Sequence, residues 1–207
     1  MKAYALWFRN RDYVLSLAVA LLFLMASLVV NFYAGTYAQE KASNAVTDII
    51  LDNIPVFDVD GTFVYGAIGL FAFLMLYLLT RPQQIPFTFK CLSVFIFIRS
   101  VFISITHLAP FPTHIIIEYA ALNKLTFGGD LFFSGHTGLP FLLALIFWDH
   151  RLIRYIFLAS SVVFAVVVLM GHLHYSIDVR GAYFITFTIF HLCEKFFKKD
   201  LAIFKAA

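Results

Sequence analysis

The sequence predicts an all-α, polytopic membrane protein: six transmembrane helices in one bundle, with both termini cytoplasmic. Three observations carry this expectation. Of the 207 residues 62% are hydrophobic, 18% aromatic and only 13% charged, and 26 are phenylalanine, a balance far from soluble globular usage. The apolar residues fall in six runs of roughly 20, the length that crosses a bilayer core of about 30 Å. The basic residues collect in alternate connections. A formal net charge of +3 is too small to argue for nucleic acid, so no such partner is expected.

The runs are Tyr13–Ala34, Thr62–Thr80, Ile85–Leu108, Leu131–Trp148, Leu152–Met170 and Ile177–Phe197. Each reads as a helix, because a chain in hydrocarbon must satisfy its own backbone hydrogen bonds. The first follows a basic start and precedes the small-residue stretch Thr36-Tyr37-Ala38, as a signal peptide would. It exceeds the about 7–15 apolar residues of a signal core and reads as a retained helix. Arg81-Pro82-Gln83-Gln84 and Asp149-His150-Arg151 are tight connections that make antiparallel hairpins of their neighbours. No repeat, low-complexity tract or long linker divides the chain, so residues 1–207 form one domain, with the chemical motifs within 54–180. Cys91 and Cys193 are isolated thiols, expected to pack as small apolar residues.

Six spans put Lys2, Arg9, Arg11, Arg81, Arg151, Arg154, Lys195, Lys198, Lys199 and Lys205 on one side, the cytoplasmic one. Glu40, Asp48, Asp52, Asp58, Asp60, Glu118, Asp130 and Asp178 share the other, with little compensation beyond Lys41 and Lys124. Lys90 and Arg180 are expected to snorkel towards head groups. Two polar clusters, Ser134-Gly135-His136-Thr137 and His172–Asp178, then meet on the periplasmic, extracellular or lumenal face.

Their residue types suit phosphate chemistry. His174 and Asp178, four apart, share a face at the start of a helix. A carboxylate on one ring nitrogen fixes the tautomer and leaves the other nitrogen as a directed base or nucleophile. His136 stands in the Gly-containing turn that opens span four, where free N–H groups and the positive dipole end can seat a phosphate. A second histidine across that phosphate can protonate a leaving oxygen. Arg99, inside span three, needs an anion: either a phosphate held in bidentate geometry or a carboxylate, for instance on span two. Asp130 reads equally as a binding residue or a helix cap.

Gly129-Asp130-Leu131-Phe132-Phe133-Ser134-Gly135-His136-Thr137 and Gly171-His172-Leu173-His174-Tyr175-Ser176-Ile177-Asp178-Val179 resemble the paired signatures of the sphingomyelin synthase family, within the type 2 phosphatidic acid phosphatase superfamily. Ile98-Arg99-Ser100 through Pro110 is similar to the arginine-bearing third-helix motif, and Ile54-Pro55-Val56-Phe57-Asp58 to a weaker proline–aspartate motif. The resemblance implies six helices around an outward-facing active site. It implies that His174 attacks phosphorus and carries a phosphohistidine, that Asp178 holds its ring, and that His136 protonates the departing lipid alcohol. Arg99, Asp130, Ser134, Gly135, His172 and Tyr175 become the candidate phosphate- and substrate-binding residues. The donor would be a phospholipid and the acceptor a lipid alcohol, ceramide or diacylglycerol, with no cofactor and no metal; water as acceptor makes the same site a lipid phosphatase or phospholipase C-like hydrolase.

The chain departs from the pattern in two places. Leu173 stands where an acidic residue precedes the second histidine, so pairing with a cationic head group is lost there. Val168 replaces the arginine of phosphatase-type members, and a Lys-x6-Arg-Pro motif is absent, which places the spelling nearer the synthase branch. His107, His114, Glu118 and Tyr119 are expected to shape an outer entrance. Two other classes compete: a metal-binding protein ligating through His107, His114, His136, His172 and His174, and a non-catalytic membrane scaffold.

Overall fold

The computed structural model describes residues 7–115 and 130–206. Among them the regular structure is helical, with no strand. In chain order the helices are α1 Arg11–Lys41, α2 Asp60–Thr80, α3 Ile85–Ile105, α4 Gly135–Ile146, α5 Arg151–Met170, α6 Ser176–Phe196 and α7 Lys198–Lys205. Short 3-10 turns at Leu51–Asn53 and Pro82–Gln84 precede α2 and α3. Four of these, α1, α2, α3 with its leading turn, and α5, are long and apolar enough to cross a membrane. Helix α6 has 21 residues but carries Asp178, Arg180, Glu194 and Lys195, which lower its hydropathy.

Two helices differ from the apolar runs. Helix α1 starts where Asn10 caps the N–H groups of Asp12 and Tyr13, and continues to Lys41 rather than Ala34. Its extra turns are held because Ala34 and Ala38 pack on Ile103 of α3. Helix α4 runs 135–146 rather than 131–148. It begins where the Ser134 hydroxyl accepts the Thr137 N–H and ends where the Phe147 N–H closes on Leu143. Twelve residues span only roughly 18 Å, so this is a short element embedded among long ones.

Helix α4 packs on α5 and α6, and α1 lies along α3. The main core joins α2, α3, α4, α5 and α6 through Leu74, Phe87, Phe95, Phe133, Leu142, Phe147, Phe157 and Ile189. Gly138 permits this contact, since a Cβ there would sit 2.9 Å from both the Phe95 ring and the Thr186 hydroxyl.

Polar links separate the two ends of the bundle. At one, the Tyr13 hydroxyl donates to the Pro82 carbonyl at 2.8 Å, Gln84 meets His150 at 3.2 Å, and Lys90 bonds Asp200. Arg81, Arg151, Lys195, Lys198 and Lys199 belong to this basic end. Lys90 does not snorkel: its ammonium is buried, 2.6 Å from Asp200 of α7, which also accepts from Ser16 of α1. An aspartate beyond the last apolar run supplies the partner that makes burial of the lysine tolerable. Cys91 and Cys193, read as isolated, are both buried and face each other across α3 and α6. The other end carries the two histidine motifs.

Candidate active site

The site is assembled on helix starts. Asp178 is the third residue of α6, and its Oδ2 folds back to accept the N–H of Tyr175 at 2.9 Å. The same oxygen lies 3.4 Å from His174 Nδ1, with both side chains buried. The expected pair therefore forms, but His174 precedes the helix and is held to its first turn by the carboxylate. Asp178 Oδ1 is buried and has no partner among the described residues.

The second motif is fastened to the first by backbone. The Ser134 N–H donates to the Asp178 carbonyl at 3.2 Å, so the start of α4 lies against the first turn of α6. His136 is already the second residue of α4 rather than part of a preceding turn. Its ring stacks on Phe63 of α2 with centroids 3.9 Å apart, and Phe164 of α5 lies 5.6 Å away. His174 and Arg99 are both close enough for their charges to act on this ring. His136, His174, Asp178 and Arg99 thus come together, although the two histidines are 38 residues apart in sequence.

Arg99 is buried on α3. Its Nε donates to the Phe133 carbonyl at 2.9 Å, Nη1 to Asp130 Oδ2 at 3.1 Å, and Nη2 to the Asp130 carbonyl at 2.5 Å. The carboxylate partner is Asp130, ahead of α4, and not a residue of span two. Asp130 accordingly is not the helix cap; Ser134 is. Three of the five guanidinium N–H groups are engaged, leaving two for an anion. A Cβ on Gly135 would lie 3.3 Å from Arg99 Nε, so the glycine lets the α4 start press against the guanidinium. The α4 start, with its positive dipole end, thus lies against the guanidinium, and His136 stands on its first turn.

His172 and Tyr175 point elsewhere. His172 adopts a φ of 53°, its Nδ1 is 2.6 Å from the Thr113 hydroxyl, and its ring meets Phe111 edge-on. Its Nε2 is buried without a partner among the described residues. The Tyr175 hydroxyl donates to the Ala109 carbonyl at 2.9 Å and accepts from the Val46 N–H at 3.3 Å. Burial raises its pKa despite that N–H, so it works as a neutral clasp between loops. Leu173 joins an apolar cluster with Val59, Phe63 and Val168. His107 bonds back to Ser104 and His114 to Phe111. Glu118, Tyr119, Lys124 and Gly129, named in the motifs and the outer loop, lie outside the described residues, as does Lys2.

In sequence Asp48 reads only as one of the carboxylates of the outer side, with no part in the site. It is 7% exposed, accepts the Ser176 N–H at 2.7 Å and also binds the N–H groups of Ile50 and Leu51. Burial opposes its ionisation, but these hydrogen bonds outweigh that cost and hold its carboxyl below the usual value. It therefore caps α6 from a distant loop, one residue after the Tyr175 clasp. The contacts of His136 with Phe63, stacked on it, and Phe164, tilted against it, were equally illegible. Among the described residues no group of three or more His, Cys, Asp or Glu side chains is placed to hold a metal ion.

With this geometry in view, the comparisons bear on both motifs. Residues 128–195, about a third of the chain, match the family model described as PAP2 superfamily C-terminal, PAP2 being the type 2 phosphatidic acid phosphatases. Both histidine motifs fall within the matched stretch. The match supports lipid phosphatase or phosphotransferase chemistry in a membrane enzyme. No characterised protein and no solved structure matches the chain significantly.

Proposed function

We propose that this protein is a membrane lipid phosphotransferase of the sphingomyelin synthase type. His174 attacks the phosphorus of a phospholipid, forming the N–P bond of a phosphohistidine as the P–O bond to the lipid alcohol breaks. Asp178 keeps the Nδ1 proton and so directs Nε2 at phosphorus. His136 gives its proton to the leaving oxygen, then takes one from the acceptor alcohol, ceramide or diacylglycerol, which displaces the phospho-head group. Arg99 and the α4 start hold the phosphoryl oxygens, with no metal or cofactor assigned a part. Asp130, Ser134 and Gly135 position this seat, while Tyr175 and His172 brace the loops around it. In this reading α4 and α6 join the four long helices as six crossings, both termini are cytoplasmic, and the site faces the opposite side.

The observation that supports the reading is the Ser134–Asp178 backbone bond, which sets the α4 start, with His136 and the neighbouring Arg99, against the first turn of α6 and its His174–Asp178 pair. The match to the phosphatase superfamily favours a second arm, in which water takes the place of the lipid alcohol. The test incubates the purified protein in micelles with head-group-labelled phospholipid, with and without ceramide or diacylglycerol. Label appearing in a new lipid only when the alcohol is present supports transfer. Free phosphate or phospho-head group released without it selects hydrolysis. Neither product, or a near-normal rate in His136→Ala, overturns the mechanism.

A further inference from the structure

Between α2 and α5 the bundle leaves an open furrow of about 380 Å³, lined by Gly66, Gly69 and Phe73 on one side and Ala159, Val163 and Phe164 on the other. Its lining is mostly apolar, with Thr62 and Ser160 the hydroxyl-bearing exceptions. From Thr62 to Phe73 it follows α2 for 11 residues, roughly 16 Å of helix. Aromatic rings hold the helices apart at both ends: Phe73 meets Phe157 at 5.8 Å below, and Phe164 lies under His136 above. Gly66 lets the Phe164 ring close on α2, where a Cβ would lie 3.2 Å from it, and the furrow stays open at Gly69. A Cβ on Gly69 would meet nothing within 4 Å. At the end of the furrow lined by Phe164, that ring lies 5.6 Å from the His136 ring, tilted against it, and His136 stacks in turn on Phe63.

We propose that this furrow holds an acyl chain of the lipid alcohol, leaving or incoming, whose oxygen exchanges a proton with His136. The inference rests on the function proposed above and adds the side from which the lipid tail runs. The oxygen that leaves phosphorus belongs to the glycerol backbone. A chain on that backbone must descend from the His136 side of the phosphate, not from the His174 side. Along that path the furrow offers an apolar track open to hydrocarbon, long enough for most of a fatty chain. Transfer through one phosphohistidine uses the track twice: the departing lipid vacates it and the acceptor enters. A second shallow furrow, between Ile98 and Phe102 of α3 and Phe184 and Leu192 of α6, lies away from the His136 ring and serves as the internal comparison.

Gly69→Leu puts a side chain into the track from a Cβ position that meets no atom within 4 Å, and Ala72→Leu places the same side chain on an exposed face outside it. The ratio of kcat/KM for dioleoyl to dibutanoyl phosphatidic acid is expected to fall at least tenfold in Gly69→Leu and to stay as in the wild type in Ala72→Leu. An unchanged ratio in Gly69→Leu, or an equal fall in both variants, overturns the proposal. A photolabelling arm separates this from failure of the enzymatic reading, because it needs no turnover. Phosphatidic acid with a mid-chain diazirine is compared with the matching diazirine fatty-acid methyl ester, which has no phosphate to anchor it. At least fivefold excess adduct from the phosphate-bearing probe on residues 62–73 and 156–164, lost in Gly69→Leu, supports the track even if neither substrate turns over. Equal labelling by the two probes, or excess confined to the furrow between α3 and α6, overturns it.

Discussion

Two buried ion clusters occupy opposite ends of the bundle. At the basic end, Lys90, Asp200 and Ser16 tie α3, α7 and α1 together, with the ammonium satisfied by Asp200 at 2.6 Å and Ser16 at 2.9 Å and lying over the Phe197 ring. At the other end Arg99 meets Asp130, and His174 meets Asp178, but the second cluster is not closed. Asp178 Oδ1 is unpartnered among the described residues, and Arg99 retains spare donors. Buried polar groups normally find partners, since an orphan costs about 1–3 kcal/mol. A closed cluster is explained by the fold it holds together. An open one, with spare guanidinium donors against a helix N-terminus, is the arrangement expected where an anion completes the donors, whereas Asp178 Oδ1, an acceptor, would need a donor of its own.

Substitutions can break this contrast, in decreasing order of effect. His174→Ala is expected to lower lipid turnover by at least roughly a thousandfold, and Asp178→Asn by about a hundredfold or more, with monodisperse protein recovered in both cases. Arg99→Lys and Lys90→Met should separate cleanly. The first loses the planar fork and should cost about a hundredfold in rate with yield retained. The second strands Asp200 and should cost about 3–5 kcal/mol of stability, read as lost yield and lowered Tm, while each folded molecule turns over normally. A double change, Lys90→Met with Asp200→Leu, should recover much of that stability. If Arg99→Lys instead loses yield at unchanged rate, the two clusters are alike and the site reading fails.

Gly135→Ala brings a methyl against Arg99 and should lower the rate about tenfold with little change in Tm, since the guanidinium must give only a few tenths of an ångström. Smallest is Asp48→Asn, expected to cost on the order of 1–2 kcal/mol at neutral pH through weakened charge-assisted bonds to the α6 start. Because the folded carboxyl sits below its ordinary 3.8, this contribution is present above that value and is lost as pH falls through the folded pKa. The Tm difference between wild type and Asp48→Asn should therefore narrow on acidification below that range and hold steady from pH 5 to 8.

The sequence made the helices legible because hydrocarbon dictates both their length and their composition. Tyr13, Thr62, Ile85, Leu152 and Ile177 fall within two residues of observed helix starts. The ends of α1 and α4 were not legible, since they depend on Ala38 packing against Ile103 and on the Ser134 cap rather than on apolar content. In the site, the spacing of His174 and Asp178 exposed a local pair. Arg99 could be recognised as needing an anion, but its carboxylate is 31 residues away in an irregular segment. Asp48 reaches the α6 start across 128 residues, and no local pattern marks such a bond. Comparably long separations, 110 residues for Lys90 and Asp200 among them, hid the partners of Lys90 and Cys91.

Helix α4 begins level with Arg99, six residues before α3 ends, while Ser43, just past α1, bonds His107 just past α3. The ends of α1 and α3 therefore stand as a rim roughly 9 Å beyond the level of Arg99 on α3. That height is close to the Debye length of about 8 Å at physiological ionic strength. Attraction between charges fades over about that distance in salt, so capture of an anionic head group from beyond the rim should weaken as sodium chloride is added.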